Sequence, residues 1–242
     1  MNKALYHFLV EILDLFVWKG DLLGTENLPR HGPAVFVANH LDALGPIACF
    51  CSLPMRLHAW AIGDMMDHAK AAAYLNQDFT ERQLHLKPPF SIWFSRRLSR
   101  ITVPLLWSLG CIPVYKGDYE RLQETLALSM KVLLEKGFLL IFPEEPQLER
   151  DEKTGIAPFQ HTFARLGEMY YAETGQRLSF YPLAIHPKRV LWLGKPVTFD
   201  PLNKAGAERQ RLKSALEADV RRMYLQLSEN GGELQILRPA HK

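Results

Sequence analysis

A histidine and an aspartate, in the order Asn39-His40-Leu41-Asp42, stand where the apolar run AVFVAN gives way to polar sequence. Histidine is the side chain whose unperturbed pKa suits proton transfer near neutrality. A carboxylate beside it can hold the ring in one tautomer and stabilise the imidazolium that forms. Lys116, just past the run CIPVY, can attract a phosphate as a point charge. Glu144 opens the charged stretch EEPQLERDEKTG (144–155), directly after the run FLLIF, and such strand ends are where open α/β sheets place their chemistry. There is no G-x-S-x-G elbow, no G-x-x-x-x-G-K-[ST] loop and no H-E-x-x-H pair. Cys49, Cys51 and Cys111 are too few for a disulfide framework, and a lone C-x-C lacks zinc-site spacing, so no metal and a reducing compartment are expected.

These residues need a scaffold, and the hydropathy pattern supplies one. Short apolar runs, AVFVAN, MRLHAWAI, CIPVY, FLLIF, SFYPLAI and RVLWL, read as buried strands. Between CIPVY and FLLIF the spacing predicts a helix, with Asp118 at its start, Leu122, Leu126, Met130 and Leu133 on one face and Gly137 at its stop. Further helices are predicted over 158–174, ending at Gly175, and over 205–228, with Leu212, Leu216, Val220, Met223 and Leu227 as the apolar stripe. Residues 4–18 carry Leu5, Phe8, Leu9, Ile12, Leu13 and Phe16 at helical spacing, interrupted by Glu11 and Asp14. That makes an amphipathic N-terminal helix (1–20), too short and too acidic to span a bilayer, ahead of a single α/β domain (21–242). Strands alternating with helices make the class α/β.

Composition excludes more than it names. Forty-eight per cent hydrophobic residues in 242 support one substantial core, and 29 Lys and Arg against 26 Asp and Glu give a charge of only +3, so nucleic acid is not an expected partner.

Four blocks then stand out in order: Ala38-Asn39-His40-Leu41-Asp42-Ala43-Leu44-Gly45-Pro46, Gly110-Cys111-Ile112-Pro113-Val114-Tyr115-Lys116-Gly117, Phe142-Pro143-Glu144-Glu145-Pro146-Gln147, and Tyr181-Pro182-Leu183-Ala184-Ile185. They resemble the four motifs of the PlsC-like glycerolipid acyltransferases, N-H-x-S-x-x-D-P, G-x-I-P-V-x-R, F-P-E-G-T-R and v-P-V-A-I. Two flanking stretches, Gly24-Thr25-Glu26-Asn27-Leu28-Pro29 and Leu193-Gly194-Lys195-Pro196-Val197, are similar to that family as well. The resemblance implies an open mixed sheet flanked by helices. It also implies transfer of a fatty acyl group from a thioester, acyl-CoA or acyl carrier protein, to a hydroxyl of a lysophospholipid-type acceptor, with no bound cofactor. On that pattern His40 is the base and Asn39, Lys116 and Glu144 contact substrate, while Asp42, displaced by three residues from the family carboxylate, is the candidate to orient His40.

The departures open a second reading. Gly45 stands where the family has the Asp of H-x-x-x-x-D, and Asp42 stands where Ser is usual. Asp42 therefore either orients His40 or caps the following helix. Gly45, held by Pro46, is a candidate for a backbone conformation that only glycine tolerates. Lys116 replaces Arg, and Glu145-Pro146 replaces Gly-Thr. The alternative to an enzyme is a non-catalytic lysolipid- or acyl-chain-binding scaffold or carrier of the same fold.

Residues 87–110, KPPFSIWFSRRLSRITVPLLWSLG, mix Phe90, Trp93, Phe94 and Trp107 with Arg96, Arg97 and Arg100. This is the composition of an element facing anionic headgroups, or of a buried helix whose arginines pair with acids such as those at 151 and 152. With the N-terminal helix it places the expected protein peripherally on the cytoplasmic face of a membrane.

Overall fold

The computed structural model describes Glu11 and residues 14–115, 117–145 and 147–229. Most of the expected N-terminal helix, Lys116 and Pro146 lie outside the described residues. The last part of that stretch, Asp14–Trp18, is a π-helical turn; Trp18 is fully buried and donates its indole N–H to Ser52 Oγ at 2.8 Å. That end of the stretch packs on the protein itself.

In chain order the regular elements are β1 (Asp21–Leu23), β2 (Ala34–Ala38), α1 (Leu44–Ser52), β3 (Leu57–Ile62), α2 (Gly63–Met66), α3 (Ala71–Leu75), α4 (Phe90–Leu109), β4 (Ile112–Val114) and α5 (Tyr119–Leu134). They continue with β5 (Phe138–Ile141), α6 (Arg165–Thr174), β6 (Ser179–His186), β7 (Val190–Leu193), β8 (Val197–Thr198) and α7 (Ala205–Glu229). This is an α/β protein with an open mixed sheet flanked by helices. The chain divides into two compact units, one spanning His58–Ser129 and one built from the residues before and after it.

The larger unit holds the strand order β1-β7-β6-β2-β5, with β8 on β6. β2 runs parallel to β5, from Ala34 opposite Phe138 to Val37 opposite Ile141, and parallel to β6, from Val35 opposite Phe180 to Ala38 opposite Leu183. β7 and β8 run antiparallel to β6, and β1 parallel to β7. Every residue of β2 is buried, which is why AVFVA is apolar throughout rather than alternating. The predicted stripe of α7, Leu212, Leu216, Val220, Met223 and Leu227, is buried, and the helix packs on β6. The two flanking stretches singled out in the sequence meet in this unit: Asn27 Nδ2 donates to the Leu193 carbonyl at 3.1 Å, and Gly24, at φ 74°, lies so close to that carbonyl that a Cβ would collide with it.

In the smaller unit β3 and β4 pair in parallel, Trp60 opposite Ile112 and Ile62 opposite Val114. α4 buries Ser91, Ser95, Ser99 and Val103, a small-residue face repeating every four positions, and ends at Gly110 in the left-handed conformation. Asp118 caps α5 as the sequence suggests, accepting the Arg121 N–H at 3.1 Å.

One helix differs from its expected span. The segment predicted as helical from 158 begins instead with a 3-10 turn at Thr162–Ala164 and becomes α6 at Arg165. Phe159 bridges to Glu144 and the Gln160 N–H donates to the Pro143 carbonyl at 2.8 Å, so this part of the chain is held against the strand end rather than wound into a helix.

Candidate active site at the carboxyl ends of the central strands

Because β5, β2 and β6 are mutually parallel neighbours, their carboxyl ends emerge along one edge of the sheet, where open α/β sheets bind ligands. Three of the four sequence blocks end there. Asn39 and His40 follow β2, Phe142-Pro143-Glu144 follow β5, and Tyr181–Ile185 lie in β6.

Asn39 is buried and both ends of its amide are committed. Its Nδ2 donates to the Ile185 carbonyl at 3.0 Å and its Oδ1 accepts the Ile185 N–H at 2.7 Å, so the side chain stitches the end of β2 to β6. His40 is exposed, and its ring meets Phe142 edge-on, with centroids 5.2 Å apart and planes at 68°.

The backbone of His40 is fixed from across the sheet. Its N–H donates to Glu144 Oε1 at 2.5 Å, while Oε2 accepts the Ala157 N–H at 3.0 Å and lies 3.7 Å from Arg150. Glu144 is buried, and burial pushes its carboxyl above the ordinary glutamate value, although the His40 and Ala157 N–H groups and the charges of Arg150 and Arg221 pull the other way.

The stretch 144–155, which reads in sequence as a charged loop, folds back on the strand end. The Glu145 N–H donates to the Pro158 carbonyl at 2.9 Å, and Gly155 N–H to Asp151 at 2.7 Å. α7 braces it: Glu217 accepts the Phe159 N–H at 3.1 Å, and Arg221 lies 3.5 Å from Asp151.

Asp42 is exposed and takes a left-handed φ of 43°, a conformation Asp tolerates better than most residues. The residue at the cap position of α1 is Ala43, with Asp42 one residue before it. Gly45 is helical and buried, its N–H donating to the Leu41 carbonyl at 3.0 Å. The expectation of a glycine-only conformation is overturned: a Cβ here would lie 3.6 Å from Phe142 Cε1 and 3.7 Å from Ile185 Cδ1, ordinary van der Waals contact. A side chain at 45 would therefore point at the ring that flanks His40.

The structure brings Asn39, His40, Asp42 and Glu144 to one edge; Lys116 is outside the described residues. Phe142 was missed as a partner of His40, and its only signal was its place beside Pro143-Glu144. The cysteines are poor nucleophiles, since burial pushes Cys51 up to about 11 and Cys111 up to about 12. Among the described residues no helix is long and apolar enough to cross a membrane.

At this edge an exposed histidine ends the central parallel strand, and a buried glutamate that follows the neighbouring strand holds its backbone. A solved structure whose fold the chain resembles is that of the 1-acyl-sn-glycerophosphate (LPA) acyltransferase PlsC from Thermotoga maritima, with a TM-score of 0.51 at 13% identity, over 92% of this chain and 83% of that one. At that identity the likeness shows the fold. No family model and no curated protein matches the chain.

Proposed function

We propose that the protein transfers a fatty acyl group from an acyl thioester, acyl-CoA or acyl carrier protein, to a hydroxyl of a lysophospholipid-type acceptor at a membrane surface. The observation that carries this reading is an exposed His40 whose backbone is anchored by a buried carboxylate and whose ring is edged by Phe142. Such anchoring presents one imidazole in one place, as general-base chemistry requires.

In the proposed reaction the acceptor hydroxyl oxygen attacks the thioester carbonyl carbon while its proton passes to His40. The tetrahedral intermediate then collapses, the C–S bond breaks, and the leaving thiolate takes the proton back from the imidazolium. Asp42, in the turn that follows, is the proposed orienting carboxylate. Lys116 is proposed to contact the acceptor phosphate. Asn39 and Glu144, both expected from the resemblance to touch substrate, are proposed to act from behind by fixing the turn that carries His40.

A second reading, a lysolipid-binding carrier without turnover, is favoured by one feature, Gly45 in place of the family Asp. Incubating the purified chain with labelled acyl-CoA and acyl carrier protein thioesters against a panel of lysophospholipids, with lipid mass analysis and free-thiol release, separates the two. Acylated lipid formed in step with released thiol supports the enzyme; saturable lysolipid binding with neither product supports the carrier.

A further inference from the structure

The charge of this chain is unevenly spread. Of its 29 basic residues six fall between 82 and 117 (Arg82, Lys87, Arg96, Arg97, Arg100 and Lys116), and none of its 26 acidic residues does. That segment carries +6 in a chain of +3, so the remainder is net acidic. Helix α4 lies at its centre.

The helix has two unlike faces. Ser91, Ser95, Ser99 and Val103 face inwards. On the opposite side Phe90, Trp93 and Ile101 are 53%, 54% and 67% exposed, large values for such side chains. Phe90 and Trp93 stack with centroids 5.7 Å apart, and the Arg97 guanidinium sits 5.8 Å from the centre of the Trp93 ring. Arg96, Arg97 and Arg100 are all exposed, and none of them makes an ion pair among the described residues. Asp151, one of the acids expected to pair with them, lies instead beside Arg221. Trp107 is 53% exposed although its indole N–H is satisfied by the Met66 carbonyl at 3.0 Å, so its ring is not exposed for want of a hydrogen-bond partner.

We propose that this face of α4 lies in the interface of a bilayer containing anionic lipid. Phe90, Trp93 and Ile101 enter the boundary between headgroups and acyl chains, and Arg96, Arg97 and Arg100 reach the headgroup phosphates with their stems along the apolar surface. This deepens the membrane-surface part of the proposed function but does not depend on the chemistry at His40. An acidic protein partner would match the arginines and leave Phe90, Trp93 and Ile101 against polar surface. A bilayer satisfies both, because its phosphates and its hydrocarbon lie within one side-chain length of each other.

The test is co-sedimentation of the full chain with phosphatidylcholine vesicles, with and without phosphatidylglycerol, at two salt concentrations and without acyl donor. Binding should require phosphatidylglycerol and weaken as salt rises. The combined variant Arg96→Gln, Arg97→Gln, Arg100→Gln should bind about a hundredfold more weakly, at roughly fivefold per arginine near an anionic surface. Quenching of tryptophan emission by lipids brominated in the acyl chain should be seen in the wild type and reduced by Trp93→Phe, a change that keeps apolar bulk. All four positions are exposed, so thermal melting should show these variants folded. Binding of the arginine variant at the wild-type level, or wild-type binding that ignores lipid charge, would overturn the proposal. So would retention of acyl carrier protein with no vesicle binding, or arginine-dependent self-association of the chain in light scattering. Because turnover is not read, a negative result here leaves acyl transfer untouched, and a failed transfer assay leaves this proposal standing.

Discussion

The strand-end edge around His40 and the helix α4 both gather aromatic and charged side chains, yet they use them in opposite ways. At the edge the polar groups are spent inside the protein: both amide atoms of Asn39 bond Ile185, and both oxygens of Glu144 accept backbone N–H groups. Along α4 the small serines turn inwards while Phe90, Trp93, Ile101 and three arginines turn to solvent. Internal commitment fixes the mount of one exposed imidazole, whereas outward display leaves the face proposed to meet a bilayer. Substitutions should therefore act on stability at the edge and on association along α4.

The largest loss of stability is expected from Asn39→Ala, which leaves the N–H and carbonyl of Ile185 without their partners in a buried place. About 3 kcal/mol should be lost in urea denaturation, since each orphaned buried group costs about 1–3 kcal/mol. A loss under 1 kcal/mol would mean the amide does not hold β2 to β6.

Glu144→Gln comes next, because an amide can accept only one of the two N–H groups that the carboxylate accepts. About 2 kcal/mol should be lost. The pH dependence has a definite sign. Burial raises the folded-state pKa of Glu144, so the folded chain holds that proton more tightly than the unfolded one. The contribution of its titration to stability is then complete below the ordinary glutamate value of 4.5 and is lost as pH rises through the folded value. Urea midpoints measured over that range should show the advantage of wild type over Glu144→Gln shrinking with rising pH, and a growing advantage would show that the N–H groups and arginines outweigh burial.

Gly45→Ala should be small and favourable, a gain of up to about 1 kcal/mol, because a helical glycine is replaced where a Cβ meets only ordinary contacts. A lowered melting temperature would mean that Phe142 and Ile185 leave less room than their positions indicate. Smallest of all, the triple arginine change on α4 should leave stability within about 0.5 kcal/mol of wild type, the range usual for surface substitutions. A drop as large as that of Glu144→Gln would erase the contrast between the two regions.

Much of this architecture is legible in sequence, for identifiable reasons. The central strand shows as an unbroken apolar run because both its faces are covered, and α7 shows through a stripe at every third or fourth residue. β1 and β8, of three and two residues, are too short to leave a pattern, and α1 lacks a capping side chain to announce it. The start of α6 is displaced because a long-range bridge between Glu144 and Phe159 overrides local periodicity. At the site, the residue types were visible and their relations were not. Glu144 stands 104 positions from His40, and only the parallel pairing of β2 and β5 makes one carboxylate the anchor of the other's backbone. The role of Phe142 and the room at Gly45 follow from the same pairing.

The most direct measurement is the rate of labelled acyl transfer by the wild type, His40→Ala, Asp42→Asn and the double variant, each shown by thermal melting to be folded. If His40 is the base and Asp42 orients it, His40→Ala should lower turnover by about 10²–10⁴-fold, Asp42→Asn should lower it substantially, and the double variant should cost little more than His40→Ala alone. Wild-type transfer that survives His40→Ala unchanged would contradict the assignment of this strand-end histidine as the centre of the chemistry.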